Sequence, residues 1–158
     1  MIIYDPREWT DSYVKYHENE CVDILLRLTG GLRDLIRDGD YRSAAFICNG
    51  MCDGLSLMTK YDPNQYCPML YGYSFILGEL LLFGIGGRDG LRAAIPPLQD
   101  ALDFARNCAR PGRRTADRAR QDAIKIENML KDLSRGMSVD SVRRKYCPDF
   151  PQDILDEF

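Results

Sequence analysis

The stretch Gly39–Asn64, GDYRSAAFICNGMCDGLSLMTKYDPN, decides how this chain is read. Tyr41, Ala44, Ala45, Cys48, Met51, Cys52, Leu55 and Met58 recur three or four residues apart, which is one apolar face of an α-helix. Asp40 supplies an N-cap, and Asp62-Pro63-Asn64 ends the helix or starts the next one. Cys48 and Cys52 stand at i and i+4, so their sulfurs share that face. A structural zinc needs four ligands, and no spacing places Cys21, Cys67 or His17 beside them. Packing accounts for every residue on the stripe, so the two cysteines read as core. Gly50 and Gly54, one turn apart, mark a place where another helix comes close; the alternative is the lining of a ligand groove.

The same pattern extends outward on both sides. Upstream, Asp5-Pro6-Arg7-Glu8 puts an N-cap, a first-turn proline and an N3 glutamate in register. A stripe from Trp9 through Leu25, Leu28, Leu32 and Ile36 follows, and Gly30-Gly31 is the place for a kink or a split. Downstream, the spacing predicts a third helix over Gln65–Phe83 with Pro68 in its first turn, then a loop at Gly84–Gly90. A fourth helix starts at Leu91 or at Pro96 and reaches Cys108; a fifth covers Thr115–Arg135 and a sixth Ser138–Tyr146. No window alternates as a strand would. The expected fold is all-α: five to six helices in antiparallel hairpins, repeat-like or a bundle, forming one domain over residues 1–146. Residues 147–158 read as an acidic, loosely held C-terminal tail.

Composition fits that picture. The chain has 158 residues, 45% hydrophobic and 28% charged, enough to bury a core without staples. A net charge of -3 gives no overall attraction to nucleic acid or to an anionic membrane. The apolar run Met69–Ile85 contains Gly72, Ser74, Gly78 and Glu79, so a buried helix is expected rather than a membrane span. Met1–Asp5 lacks the basic start of a secretory signal. Cytoplasmic placement, with reduced thiols on all six cysteines, is the expectation.

At Gly39-Asp40-Tyr41-Arg42-Ser43-Ala44 the chain resembles tetratricopeptide repeats, whose members often carry Gly-x-Tyr-x-x-Ala between two helices and a proline after the second, here Pro63. Leu77-Gly78, followed by Ala94, Ala101 and Pro111, matches a second unit. The resemblance covers about residues 25–111 and implies stacked helical hairpins that bind a protein or peptide.

No residue set calls for catalysis, a cofactor or a metal. His17 lies beside Glu18 without a nucleophile motif and reads as helix surface. Gly84-x-Gly86 follows a helix and has Asp89 where a third glycine would stand, so a turn is expected there rather than a phosphate cradle. Glu79, in the most apolar helix, must have a partner or line a groove. Tyr61, Tyr66, Tyr71, Tyr73 and Phe75 cannot all face one core, so some belong to a contact surface. The segment Arg106–Lys125 is basic, and its arginines either pair with the acidic tail or take an external anion.

The expected activity is that of an adaptor or chaperone-like interaction module. Its groove would hold Tyr41, Met51, Tyr66, Tyr73 and Leu77, with Arg113, Arg114 and Arg118 on the rim. The partner would be a peptide, a helix of another protein, or a second copy of the chain. Nucleic-acid association through Arg106–Lys125 is the alternative, and an enzyme or metal protein using cysteines or His17 stands behind it.

Overall fold

A computed structural model describes residues 1–111 and 115–158. Every regular element among them is helical: α1 (Asp11–Tyr16), α2 (Glu18–Arg37), α3 (Tyr41–Tyr61), α4 (Pro63–Glu79), α5 (Gly87–Cys108), α6 (Ala116–Ser134), α7 (Val139–Tyr146) and α8 (Gln152–Leu155). Consecutive long helices pack on one another from α2 to α6 through short connections, as the all-α reading expects.

The caps explain most boundaries. Asp40 accepts from the Ser43 N–H at 3.2 Å and opens α3. Asp62 accepts from the Gln65 N–H at 3.4 Å and opens α4, so a single residue separates the two helices. Gly39 reverses the chain after α2 at φ 79°, and the Asp40 N–H then reaches the Leu35 carbonyl at 2.9 Å.

Three expectations are corrected. The first stripe is not one helix split at Gly30-Gly31, because both glycines lie inside a continuous α2. The breaks come earlier. A 3-10 turn covers Pro6–Glu8, and Thr10 then takes the Tyr13 N–H at 3.1 Å as a new N-cap. The chain bends again at His17 (φ -130°, ψ 36°), between α1 and α2. Local capping wins because the broken segment folds over α3. A Cβ on Gly54 would lie 2.7 Å from the Trp9 ring, and one on Gly50 would meet the Arg7 guanidinium. The close approach signalled by those glycines is therefore made by the N-terminal turn.

Second, the expected loop at Gly84–Gly90 shrinks to a single break. The chain continues past α4 as a π-helical turn over Leu80–Ile85, reverses at Gly86 (φ 70°), and α5 begins at Gly87. Pro96 and Pro97 lie inside α5, although each removes a backbone donor. The stripe Ala94, Leu98, Ala101, Leu102 and Ala105 is buried on its neighbours, and that packing outweighs the local preference.

Third, residues 147–158 do not hang free. Cys147 and Ile154 are buried, and the Phe150 ring sits 5.6 Å from both Tyr41 and Phe83. Apolar residues at three- and four-residue steps dock the segment, with Asp149 and Asp156 facing outward and Asp153 turned inward.

The helix α4 lies between two groups of core side chains. Tyr66, Leu70 and Leu77 join α2 and α3 on one side; Cys67 and Tyr71 join α5 and α6 on the other. Burial on both sides removes the one-sided pattern and explains the nearly continuous apolar sequence. With its π turn, Pro63–Ile85 is long and apolar enough to cross a membrane; here it packs against α3 and α5.

Candidate functional site

A cleft of about 390 Å³ opens between α4, α6 and the docked segment 152–158. Met69, Phe75 and Ile76 of α4 give it an apolar wall, and Ile154 and Phe158 stand opposite. The i, i+3 and i+4 spacing of α6 brings Arg118, Asp122 and Lys125 to the same side.

These charges are cross-linked. Tyr71 donates its hydroxyl to Asp122 at 3.2 Å, and Arg118 approaches the same carboxylate at 3.8 Å. Arg118 also donates to Glu157 of the docked segment. Lys125 lies over the Phe75 ring at 5.6 Å. Burial raises the Asp122 carboxyl, opposed by the Tyr71 hydroxyl and by Arg118 and Lys125.

Beneath the cleft lies Glu79, 4% exposed. Cys147 donates its thiol to Glu79 Oε1 at 3.0 Å, and Asp153 faces the same carboxyl. Burial, with the like charge of Asp153 behind it, pushes Glu79 up to about 8. At neutral pH it is a protonated acid, which removes the cost of a buried unpaired charge. Burial and the neighbouring Glu79 push the Cys147 thiol far up as well. Glu79, Cys147 and Asp153 place one sulfur and two carboxylate oxygens within 4.8 Å of one another. Among the described residues this is the set whose spacing suits a divalent cation; binding would require releasing protons that burial holds in place, and the positive charge of Lys125, which favours that release, would itself repel the cation.

The residues expected to form a groove do not come together as one surface. Met51 and Tyr66 are wholly buried, and Leu77 nearly so, and this removes Met51 and Tyr66 as contact residues. Tyr66 instead donates to the Glu18 carboxylate. Tyr41 packs on Gly84 and Phe150. Tyr73 shares a 2.7 Å hydrogen bond with Thr29 and lines the cleft, as does Arg118. Arg113 and Arg114 fall outside the described residues. Leu77 borders a second hollow of about 500 Å³ between α3 and α5, beside Phe46 and Pro96.

The other singled-out residues have structural surroundings. The buried Cys48 thiol donates to the Tyr73 carbonyl at 3.3 Å, and its hydrogen bond with Cys52, together with burial, holds it well above the usual thiol range. His17 stacks on Tyr13 at 4.5 Å. In the basic segment Arg106 pairs with Glu127 at 3.4 Å and Arg120 with Asp117 at 2.9 Å, while Arg118 takes the acid of the docked segment. Sequence reasoning reached Glu79, through its place in an apolar run, but not Cys147 and Asp153. Only the acidity of their segment was visible. No family model, curated protein or solved structure matches this chain.

Proposed function

We propose that the chain is a helical interaction module that receives a short peptide segment in the cleft between α4 and α6. The observation that carries this reading is the contact already made there. Segment 152–158 presents an apolar side chain, Ile154, an acid, Glu157, and an aromatic ring, Phe158, and the cleft takes the acid on Arg118. A partner with an acid beside an aromatic or aliphatic residue offers the same chemistry. The cleft has the size of a small-ligand or anchor-residue pocket. Its apolar wall supplies affinity, and the guanidinium fixes orientation. The resemblance of residues 25–111 to tetratricopeptide hairpins points the same way.

A peptide library displayed on phage and selected against the full chain tests the reading. Selected peptides are expected to carry an acid next to an apolar residue. Removing Glu157 and Phe158 frees Arg118 and should tighten their binding; Arg118→Glu should weaken it by about tenfold or more, roughly 1.4 kcal/mol. Peptides that bind equally well to both altered proteins, or no selection at all, exclude this cleft as the binding site.

A further inference from the structure

We propose that Cys67 and Cys108 form an oxidisable dithiol, which a small peroxide closes to a disulfide that joins α4 to α5. Cys67 lies in the second turn of α4 and Cys108 is the last residue of α5. The two helices are linked at their other ends through Gly86, so the cysteines face each other at the open end of the hairpin. Their sulfurs are 3.1 Å apart, with the Cys108 thiol directed at Cys67. A disulfide bond is about 2.05 Å long, so about 1 Å of approach completes it. Cys67 is 5% exposed and Cys108 wholly buried, which makes Cys67 the point of entry for a small oxidant.

The other cysteine neighbours are worse placed. Cys48 and Cys52 stand one turn apart on the rigid α3, where Cβ atoms are separated by about 5–6 Å, wider than the roughly 3.5–4.5 Å a disulfide spans. Cys147 is directed at Glu79.

The chemistry balances with hydrogen peroxide as oxidant. The Cys67 sulfur, its proton lost, attacks one peroxide oxygen. The O–O bond breaks, leaving a sulfenic acid and, after proton uptake, water. The Cys108 sulfur then attacks the Cys67 sulfur. The S–O bond breaks, and hydroxide leaves with the thiol proton as a second water. Two thiols are oxidised and one peroxide is reduced. Burial makes the step slow, so extent after prolonged exposure is the proper measure.

The folded full chain is exposed to hydrogen peroxide, quenched, denatured and titrated for free thiols. The count is expected to fall from six to four. The mass should drop by two hydrogens, and a digest should contain one joined peptide pair carrying Cys67 and Cys108, lost on reduction with dithiothreitol. Cys67→Ser and Cys108→Ser should each abolish the pair while helix content by circular dichroism is kept. The mapping on the unaltered chain decides the matter even where a variant folds poorly. Joined peptides carrying other cysteines, over-oxidation of single thiols without a bridge, or a 67–108 bridge that appears only in denaturant overturns the proposal.

Discussion

Replacing Glu79 by glutamine should make the protein more stable in alkaline than in acidic solution, relative to the unaltered chain. Glu79 is 4% exposed and faces the Cys147 thiol, the Asp153 carboxylate and, farther off, the Lys125 ammonium. Its carboxyl rises from 4.5 to about 8 on folding. The sign follows from proton counting. Below pH 4.5 both folded and unfolded chains hold the proton. Between 4.5 and 8 the folded chain keeps it and the unfolded chain releases it, so stability falls as pH rises; above 8 the loss is complete. At about 1.36 kcal/mol per unit, the two titration curves differ by about 3.5 kcal/mol between pH 5 and pH 8. That is a large part of the 5–15 kcal/mol typical of a domain. Glutamine has the shape of the protonated acid. Its carbonyl can accept from Cys147 and its amide can donate to Asp153, and it does not titrate. Urea unfolding followed by the buried Trp9, the only tryptophan, measures the effect. With a slope of about 2 kcal/mol/M, the gap between the two midpoints should widen by nearly 2 M, roughly, from pH 5 to pH 8. Other groups such as Asp122 titrate in both proteins and cancel in the difference. A gap that stays constant between the two pH values would refute the reasoning, because Glu79 would then be ionised in the folded state throughout.

Four further substitutions probe packing and capping. Gly54→Ala drives a methyl into Trp9 and Pro6 and should cost about 1–3 kcal/mol, read as a lowered urea midpoint, whereas Gly30→Ala meets nothing within 4 Å in α2 and should gain about 0.5–1 kcal/mol. Phe150→Ala removes the ring between Tyr41 and Phe83 and should cost about 2 kcal/mol or more; thermal melts unchanged from the parent would mean that segment 147–158 is not docked. Asp40→Ala removes the N-cap of α3 and should cost about 1 kcal/mol, with circular dichroism near the midpoint as the readout.

Legibility in the sequence followed the range of the forces involved. Asp40, Asp62 and Ser138 act within three residues: Asp40 caps α3 as expected, Asp62 caps α4, and Ser138 caps α7. Gly39 and Gly86 stop or break a helix because a side chain is unfavourable at their positive φ, a property of the residue itself. Pro96-Pro97 was misleading, since its helix-breaking tendency is local and the burial of Ala94, Leu98 and Ala101 is not. Met51, Tyr66 and Tyr73 belong to helical stripes, but periodicity cannot say whether a stripe meets another helix or solvent. The structure answers core for the first two and cleft for the third.

The sequence by itself determined the helical content, most helix ends and the presence of an acid within an apolar run. Each is settled by neighbours within one or two turns. Only the tertiary structure decided that Glu79 meets Cys147 across 68 residues, that Arg118 takes Glu157 across 39, and that Cys67 and Cys108 touch. Those contacts depend on how α4 is sandwiched between its neighbours, and a choice among alternative helix packings is made by the whole core at once.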